Sequence, residues 1–256
     1  MLQTMSEERK KQEKVRLDKA LVLRKLVSSR TRATTLIKDR KITLNNSVVS
    51  SPDFLISPSD TVLMLGEDIP WVSRAGLKLA HALDYWHIDP KGKVVLDIGA
   101  STGGFTEVLL SHGAKKVYAL DVGHGQLAEK LRGDPRVVNM EGVHINNVVP
   151  TNFAEPIEMI VVDVSFISLE KVLPKIKELL KKDGILIALI KPQFEVGKER
   201  IGKGIVSDPK LHASVITRIE HFVTKLGFTV REVISSPILG GDGNKEFLLY
   251  AQLAVE

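Results

Sequence analysis

Two patterns of apolar and polar positions divide the chain. From residue 93 onward, short apolar runs alternate with amphipathic stretches of helical period. The runs at about 94–98, 117–121, 137–140, 158–163, 185–190, 228–234 and 246–253 predict strands. The stretches near 104–112, 125–132, 168–181 and 209–226 predict helices, with Pro174 near the start of the third. Strand–helix alternation of this kind predicts a doubly wound sheet of seven mostly parallel strands, an α/β fold. Ahead of it, SRAGLKLAHALDYW predicts one more helix, with Leu77, Ala80 and Leu83 inward.

Residues 15–65 follow the second pattern, that of a small α/β module. In VRLDKALVLRKLV the side chains of Leu17, Leu21, Val22 and Leu26 share a helix face. SSRTRATTLIKDRK follows, with Ser28 or Ser29 as the N-cap. Its Ala33, Leu36 and Ile37 turn towards the first helix, which leaves Arg30, Arg32, Lys38 and Arg40 outward. KITLNNSVV predicts a hairpin turning at Asn45-Asn46, and SPSDTVLML a last strand. The expected organisation is a charged tail at 1–14, the module at 15–65, a linker at 66–72 and the large domain at 73–256.

Composition narrows the chemistry. The 256 residues are 43% hydrophobic and 26% charged, as in a soluble globular protein. With no cysteine there is no disulfide, no thiolate zinc site and no cysteine nucleophile. The seven histidines lack metal-ligand spacing, so no metal is expected. No apolar stretch approaches the roughly 20 residues of a membrane helix. The charged first residues lack the apolar core of a secretory signal, so a cytoplasmic protein without membrane contact is expected. The net charge of +5 is unevenly placed, because residues 1–62 hold 13 Lys/Arg against 7 Asp/Glu. The positive excess therefore sits in the first quarter, which points to nucleic acid.

The run DIGASTGGFT at 97–106 carries the clearest chemistry. A buried strand ends at Asp97, and Gly99, Gly103 and Gly104 remove side chains where a ligand would press. A second strand, YALD, ends at Asp121, where an acid can hold ribose hydroxyls, so an adenosine-containing cofactor is expected. A dinucleotide fold needs a glycine where Ser101 stands, which disfavours an oxidoreductase. The pattern resembles motif I of S-adenosylmethionine (SAM)-dependent methyltransferases, and acids flanking the turn suit a sulfonium cation better than a pyrophosphate. The resemblance implies cofactor contacts from Asp97, Gly99, Ala100, Ser101, Thr102, Gly103, Gly104, Phe105, Asp121, Val122 and Asp163. Glu141, at the end of VVNME, would lie on the adenine side.

Two strand ends are charged, Asp163 after MIVV and Lys191 after ILIALI. A charge leaving a buried strand is costly unless it is paired or wetted by a cleft. One such residue alone is an ordinary strand end, but two on neighbouring ends predict an acid–lysine pair. In chain order, Lys78, Asp163, Lys191 and Glu246 resemble the K-D-K-E tetrad of FtsJ-like ribose 2′-O-methyltransferases. The segments SRAGLKL, DIGASTGGFT, DVSFISL, IKPQFEVG and GGDGNKEFL carry that resemblance. RLDKAL, SRTRATTLI, ITLNN and SPSDTVLM resemble the S4 RNA-binding fold, although Lys38-Asp39-Arg40-Lys41 replace its usual glycine. Together they resemble the TlyA/haemolysin A family of rRNA methyltransferases across residues 15–253.

The resemblance implies methyl transfer from SAM to a ribose 2′-hydroxyl of ribosomal RNA, free or in a subunit. Lys78, Asp163, Lys191 and Glu246 would be catalytic, with Lys191 nearest the hydroxyl and Asp163 orienting it. A lysine takes up such a proton only if its pKa is brought well below roughly 10.4. Arg16, Lys19, Arg30, Arg32, Lys38 and Arg40 would meet RNA phosphates. Phe166 or Phe194 would either stack on a base or pack the rim. Lys198, Arg200 and Lys203 mark a basic loop, with phosphate contact and a solvated loop both open. Two alternatives have other signatures: an RNA-binding assembly protein with a vestigial pocket would not need the tetrad, and a haemolysin would need a lytic or spanning helix.

Overall fold

The computed structural model describes residues 14–24, 26–27, 29–64, 69–197 and 204–255. The chain forms two compact units, Met1–Pro70 and Trp71–Glu256. The N-terminal tail, Ser28 and the basic residues Lys198, Arg200 and Lys203 lie outside the described residues.

The first unit contains β1 (Val15–Arg16), α1 (Leu17–Leu23), α2 (Arg30–Lys38), β2 (Ile42–Leu44), β3 (Ser47–Val49), β4 (Leu55–Ile56) and β5 (Val62–Met64). Strand β2 lies between β3 and β5 and is antiparallel to both. Asn45 and Asn46 turn the β2–β3 hairpin with φ of 48° and 66°, the left-handed pair that a two-residue turn requires. Ser29 caps α2 by accepting from Arg32 N at 3.2 Å. Leu17, Leu21, Ala33, Leu36 and Ile37 close the core between the helices. Arg40 takes a φ of 57° after α2, the conformation for which a glycine is the usual choice. One expectation is overturned. Arg32 does not point outward: it is 8% exposed and donates to Ile69 O at 3.5 Å.

The second unit contains α3 (Ala75–Tyr85), β6 (Val94–Ile98), α4 (Gly104–Ser111), β7 (Lys116–Asp121), α5 (Glu129–Arg132) and β8 (Val137–Glu141). After these come β9 (Ile157–Val162), α6 (Leu173–Leu179), β10 (Leu180–Ile190), α7 (Pro192–Glu195), α8 (Pro209–Lys225), β11 (Phe228–Ser235) and β12 (Phe247–Leu253). Seven strands order as β11-β12-β10-β9-β6-β7-β8, and only β12 runs against its neighbours. Alternation along β6 feeds two cores. Val94, Leu96 and Ile98 join Ile176 of α6 and Ile219 of α8 on one face. Val95 joins Leu79 of α3 and Leu109 of α4 on the other. The buried sheet is thus covered on both faces, as parallel strands demand.

Three elements depart from the pattern read along the chain. The helix expected at 125–132 is only the turn α5. Its upstream amides are spent elsewhere: Gln126 N and Leu127 N donate to Glu141 Oε1, and Ala128 N donates to Thr102 O. The helix expected at 168–181 is a 3-10 turn at Leu169–Lys171 followed by α6, because Pro174 is tolerated only in a first turn. Helix α3 buries Leu79, Ala82 and Leu83 together with Lys78, while Leu77 and Ala80 are only half-buried.

Candidate active site

The carboxyl ends of β6, β7, β9 and β10 gather the polar residues of the second unit, where open α/β sheets bind ligands. The turn after β6 is built on left-handed backbone. Gly99, Ser101 and Gly103 have φ of 85°, 48° and 96°. A Cβ on Gly99 would stand 2.4 Å from Asp163 O, so the turn lies directly on the end of β9. A Cβ on Gly104 would meet Ser73 Oγ at 2.2 Å. Ser101 and Thr102 are exposed, Ala100 is buried, and the Phe105 side chain belongs to the core between α4 and the sheet.

Three carboxylates surround this turn, each in a different state. Asp97 is fully buried: its Oδ2 accepts from Thr106 Oγ1 at 2.6 Å, and its Oδ1 has no hydrogen-bond partner. Burial pushes its pKa up to about 7 against the Thr106 hydrogen bond, and repulsion from Asp163 and Asp121 adds to the rise. Asp121 Oδ2 accepts from Ser101 N at 2.8 Å and its Oδ1 from Gly123 N at 2.7 Å, so each oxygen keeps acceptor capacity. Val122 beside it is 63% exposed. Glu141 holds the loop after β7 through Gln126 N and Leu127 N, and Asn139 Nδ2 donates to its other oxygen at 2.9 Å. Those hydrogen bonds, that of Asn139 first, draw its pKa down to about 2.

These features fit S-adenosylmethionine. An unpartnered buried oxygen on Asp97 and acids around a side-chain-free turn suit a cationic, ribose-bearing molecule.

The four tetrad candidates form two ion pairs. Lys78 Nζ donates to Glu246 Oε2 at 2.6 Å, with both side chains buried. Lys191 Nζ lies 2.5 Å from Asp163 Oδ1, as an ion pair and not an aligned hydrogen bond, and donates to Ser165 Oγ at 2.9 Å. Backbone register explains the gathering. Ile190 pairs with Phe247, so Lys191 and Glu246 continue from adjacent strand ends. Asp163 N donates to Ile98 O at 2.9 Å, which fixes the acid beside the glycine turn. Ser165 was legible only as a polar neighbour in DVSF, with no spacing to single it out. Phe166 is 91% exposed with φ of 65°, and its ring centroid is 5.0 Å from that of Phe194. Among the described residues no group of His, Asp or Glu is placed to hold a metal ion.

In the first unit, Asp18 gathers two of the candidate RNA contacts. It accepts from Arg16 Nε at 3.1 Å and from Arg30 Nη2 at 2.7 Å, and these bonds, that of Arg16 first, lower its pKa to about 2. Lys19, Lys38 and Arg40 are exposed, and Arg32 is buried.

A family model described as FtsJ-like methyltransferase matches residues 71–253, and one described as S4 domain matches residues 15–62. Over 239 residues the chain is 44% identical to YqxC of Bacillus subtilis, covering 93% of this chain and 85% of that one. It is 40% identical over 239 residues to the 16S/23S rRNA (cytidine-2′-O)-methyltransferase TlyA of Mycobacterium tuberculosis, covering 93% and 89%. The solved structure of a Streptococcus thermophilus protein matches with a TM-score of 0.76 at 39% identity, covering 95% of this chain and 90% of that one.

Proposed function

The chain belongs to the FtsJ-like methyltransferases, in the TlyA/haemolysin A group that carries an S4 domain, and from that membership we propose that it methylates a ribose 2′-hydroxyl of ribosomal RNA. It is a SAM-dependent enzyme. SAM supplies, when bound, a methyl group already activated by its sulfonium. The protein's own task is to hold the acceptor hydroxyl in line and relieve it of a proton.

The observation that carries the proposal is the Lys191–Asp163–Ser165 contact, with the Lys191 side chain buried, at the lip of the glycine turn. Lys191 is the group that takes or polarises the 2′-hydroxyl proton. Asp163 and Ser165 hold its Nζ in place, the neutral amine being the form that takes the proton, and the Lys78–Glu246 pair completes the tetrad. Asp121, with the exposed Val122, suits the cofactor's ribose and adenine, while Glu141 shapes the loop beside them. The exposed ring of Phe166 suits an unstacked base better than rim packing, since a packed ring would not be 91% exposed. Arg16, Lys19, Arg30, Lys38 and Arg40 of the S4 unit would hold the RNA backbone. A ribosomal RNA substrate suits a cytoplasmic protein. Among the described residues no helix is long and apolar enough to cross a membrane.

The test uses labelled SAM with ribosomal subunits from a strain lacking this protein, followed by mapping of 2′-O-methylation. Label at a discrete nucleotide is expected. Absence of label on every ribosomal RNA would defeat the proposal.

A further inference from the structure

Below the Lys191 contact lies a buried anion that no step of methyl transfer uses. The side chain of Glu195, at the end of α7, is 1% exposed. It accepts from Ser168 Oγ at 2.8 Å and from Leu169 N at 2.8 Å. Arg218 of α8 closes the cluster: its Nη2 donates to Glu195 O at 2.7 Å and to Oε2 at 3.0 Å. Its Nε also pairs with Glu170 Oε1 at 3.2 Å. The two segments joined in this way are those that leave β9 and β10. One carries Asp163, Ser165 and Phe166 before reaching Ser168 and Leu169, and the other carries Lys191 and Phe194 before reaching Glu195. A buried carboxylate is costly to keep, and burial raises the pKa of this one. Ordinary packing between two loops does not need such a group.

We propose that Glu195, held by Arg218, is a positioning residue that locks the Lys191 segment to the Asp163–Phe166 segment, so that lysine, acid, serine and the exposed ring are presented in one arrangement. This rests on the methyl-transfer reading above. Neither residue touches a reacting atom. Their effect passes through Lys191, whose carbonyl accepts from Phe194 N at 2.9 Å one turn before Glu195. A displacement of about 1 Å in such a constellation can cost on the order of a hundredfold in rate.

The experiment compares wild type, E195Q, R218A, R218K and K191A for methyl transfer to the subunit, SAM affinity by calorimetry and thermal midpoint. E195Q is expected to lower kcat about ten- to a hundredfold. KM for the subunit and Kd for SAM should stay within about twofold of wild type. R218A should lower kcat in the same direction with Kd for SAM within about twofold, even though the unpaired Glu195 lowers its midpoint, and R218K should recover most of the loss in kcat. Should E195Q fold poorly, R218A and R218K decide the matter. Wild-type kcat in E195Q and R218A, beside an inactive K191A, would overturn the clamp and leave methyl transfer standing. Parallel loss of kcat, SAM affinity and thermal midpoint would reduce Glu195 to a folding role and also overturn it. A wild-type protein inactive on all ribosomal RNA would instead remove the underlying reading.

Discussion

Asp97 shows how one side chain can tie the cofactor turn to acidity. Its folded pKa of about 7 lies above the roughly 3.9 of an unfolded aspartate. The folded state therefore keeps a proton that the unfolded chain has lost, and stability falls as pH rises between those values. The full window corresponds to up to about 4 kcal/mol. Asp97→Asn mimics the protonated form and still accepts from Thr106. Urea unfolding at pH 4.5 and pH 7.5 should show D97N gaining on wild type by about 2–4 kcal/mol across the interval. A difference between the two proteins that stays flat with pH would refute the buried, protonated carboxyl. Lys191 and Asp163 give the other residue-scale prediction. Lys191→Ala should cut methyl transfer by about 10²–10⁴-fold with SAM affinity nearly unchanged, and Asp163→Ala should cut methyl transfer as far. Full activity in both variants would remove Lys191 from the chemistry.

At the scale of elements, the β6–α4 turn is set by backbone and not by side chains. Gly99→Ala would force φ of 85° on an alanine and press its Cβ to 2.4 Å from Asp163 O, a backbone atom that cannot step aside. A loss of about 2–4 kcal/mol is expected in thermal unfolding. Gly125→Ala is the control: its φ of 67° meets nothing within 4 Å, so only the conformational cost of about 1 kcal/mol should appear. Equal losses would mean that the close approach to β9 contributes nothing. This turn was legible in the chain because strand, glycines and helix follow one another locally. The strand ends bearing Asp163 and Lys191 were legible for the same reason. What escaped the sequence depends on contacts between distant segments. Arg32 falls on the same helix as Arg30 and Lys38, and nothing local shows that its guanidinium turns inward towards Ile69 O. Helix α5 is short because Glu141, on the next strand, captures the amides that a longer helix would use. Glu195 stands in KPQFE as one more surface acid until Arg218, 23 positions on, is folded against it.

At the scale of the molecule, charge is divided between the two units. Residues 1–62 carry 13 basic against 7 acidic side chains, although the whole chain is only +5. Binding of RNA through phosphates releases counterions, so affinity falls with salt by a slope that counts the contacts. Asp18 already engages Arg16 and Arg30, which fixes their guanidinium groups at the surface. Lys19, Lys38 and Arg40 stand exposed around them. Replacing Lys19, Lys38 and Arg40 together by alanine should flatten the plot of log affinity against log salt by roughly 2, at about 0.7 per contact for RNA strands. Arg32→Ala should leave that slope alone and lower the thermal midpoint instead, because its side chain is buried. SAM affinity should be the same in all of these variants, since the cofactor turn lies wholly within Trp71–Glu256. Filter binding of ribosomal RNA across a potassium chloride series reads the slope directly. An unchanged slope in the triple variant would mean that this surface of the S4 unit does not carry the RNA.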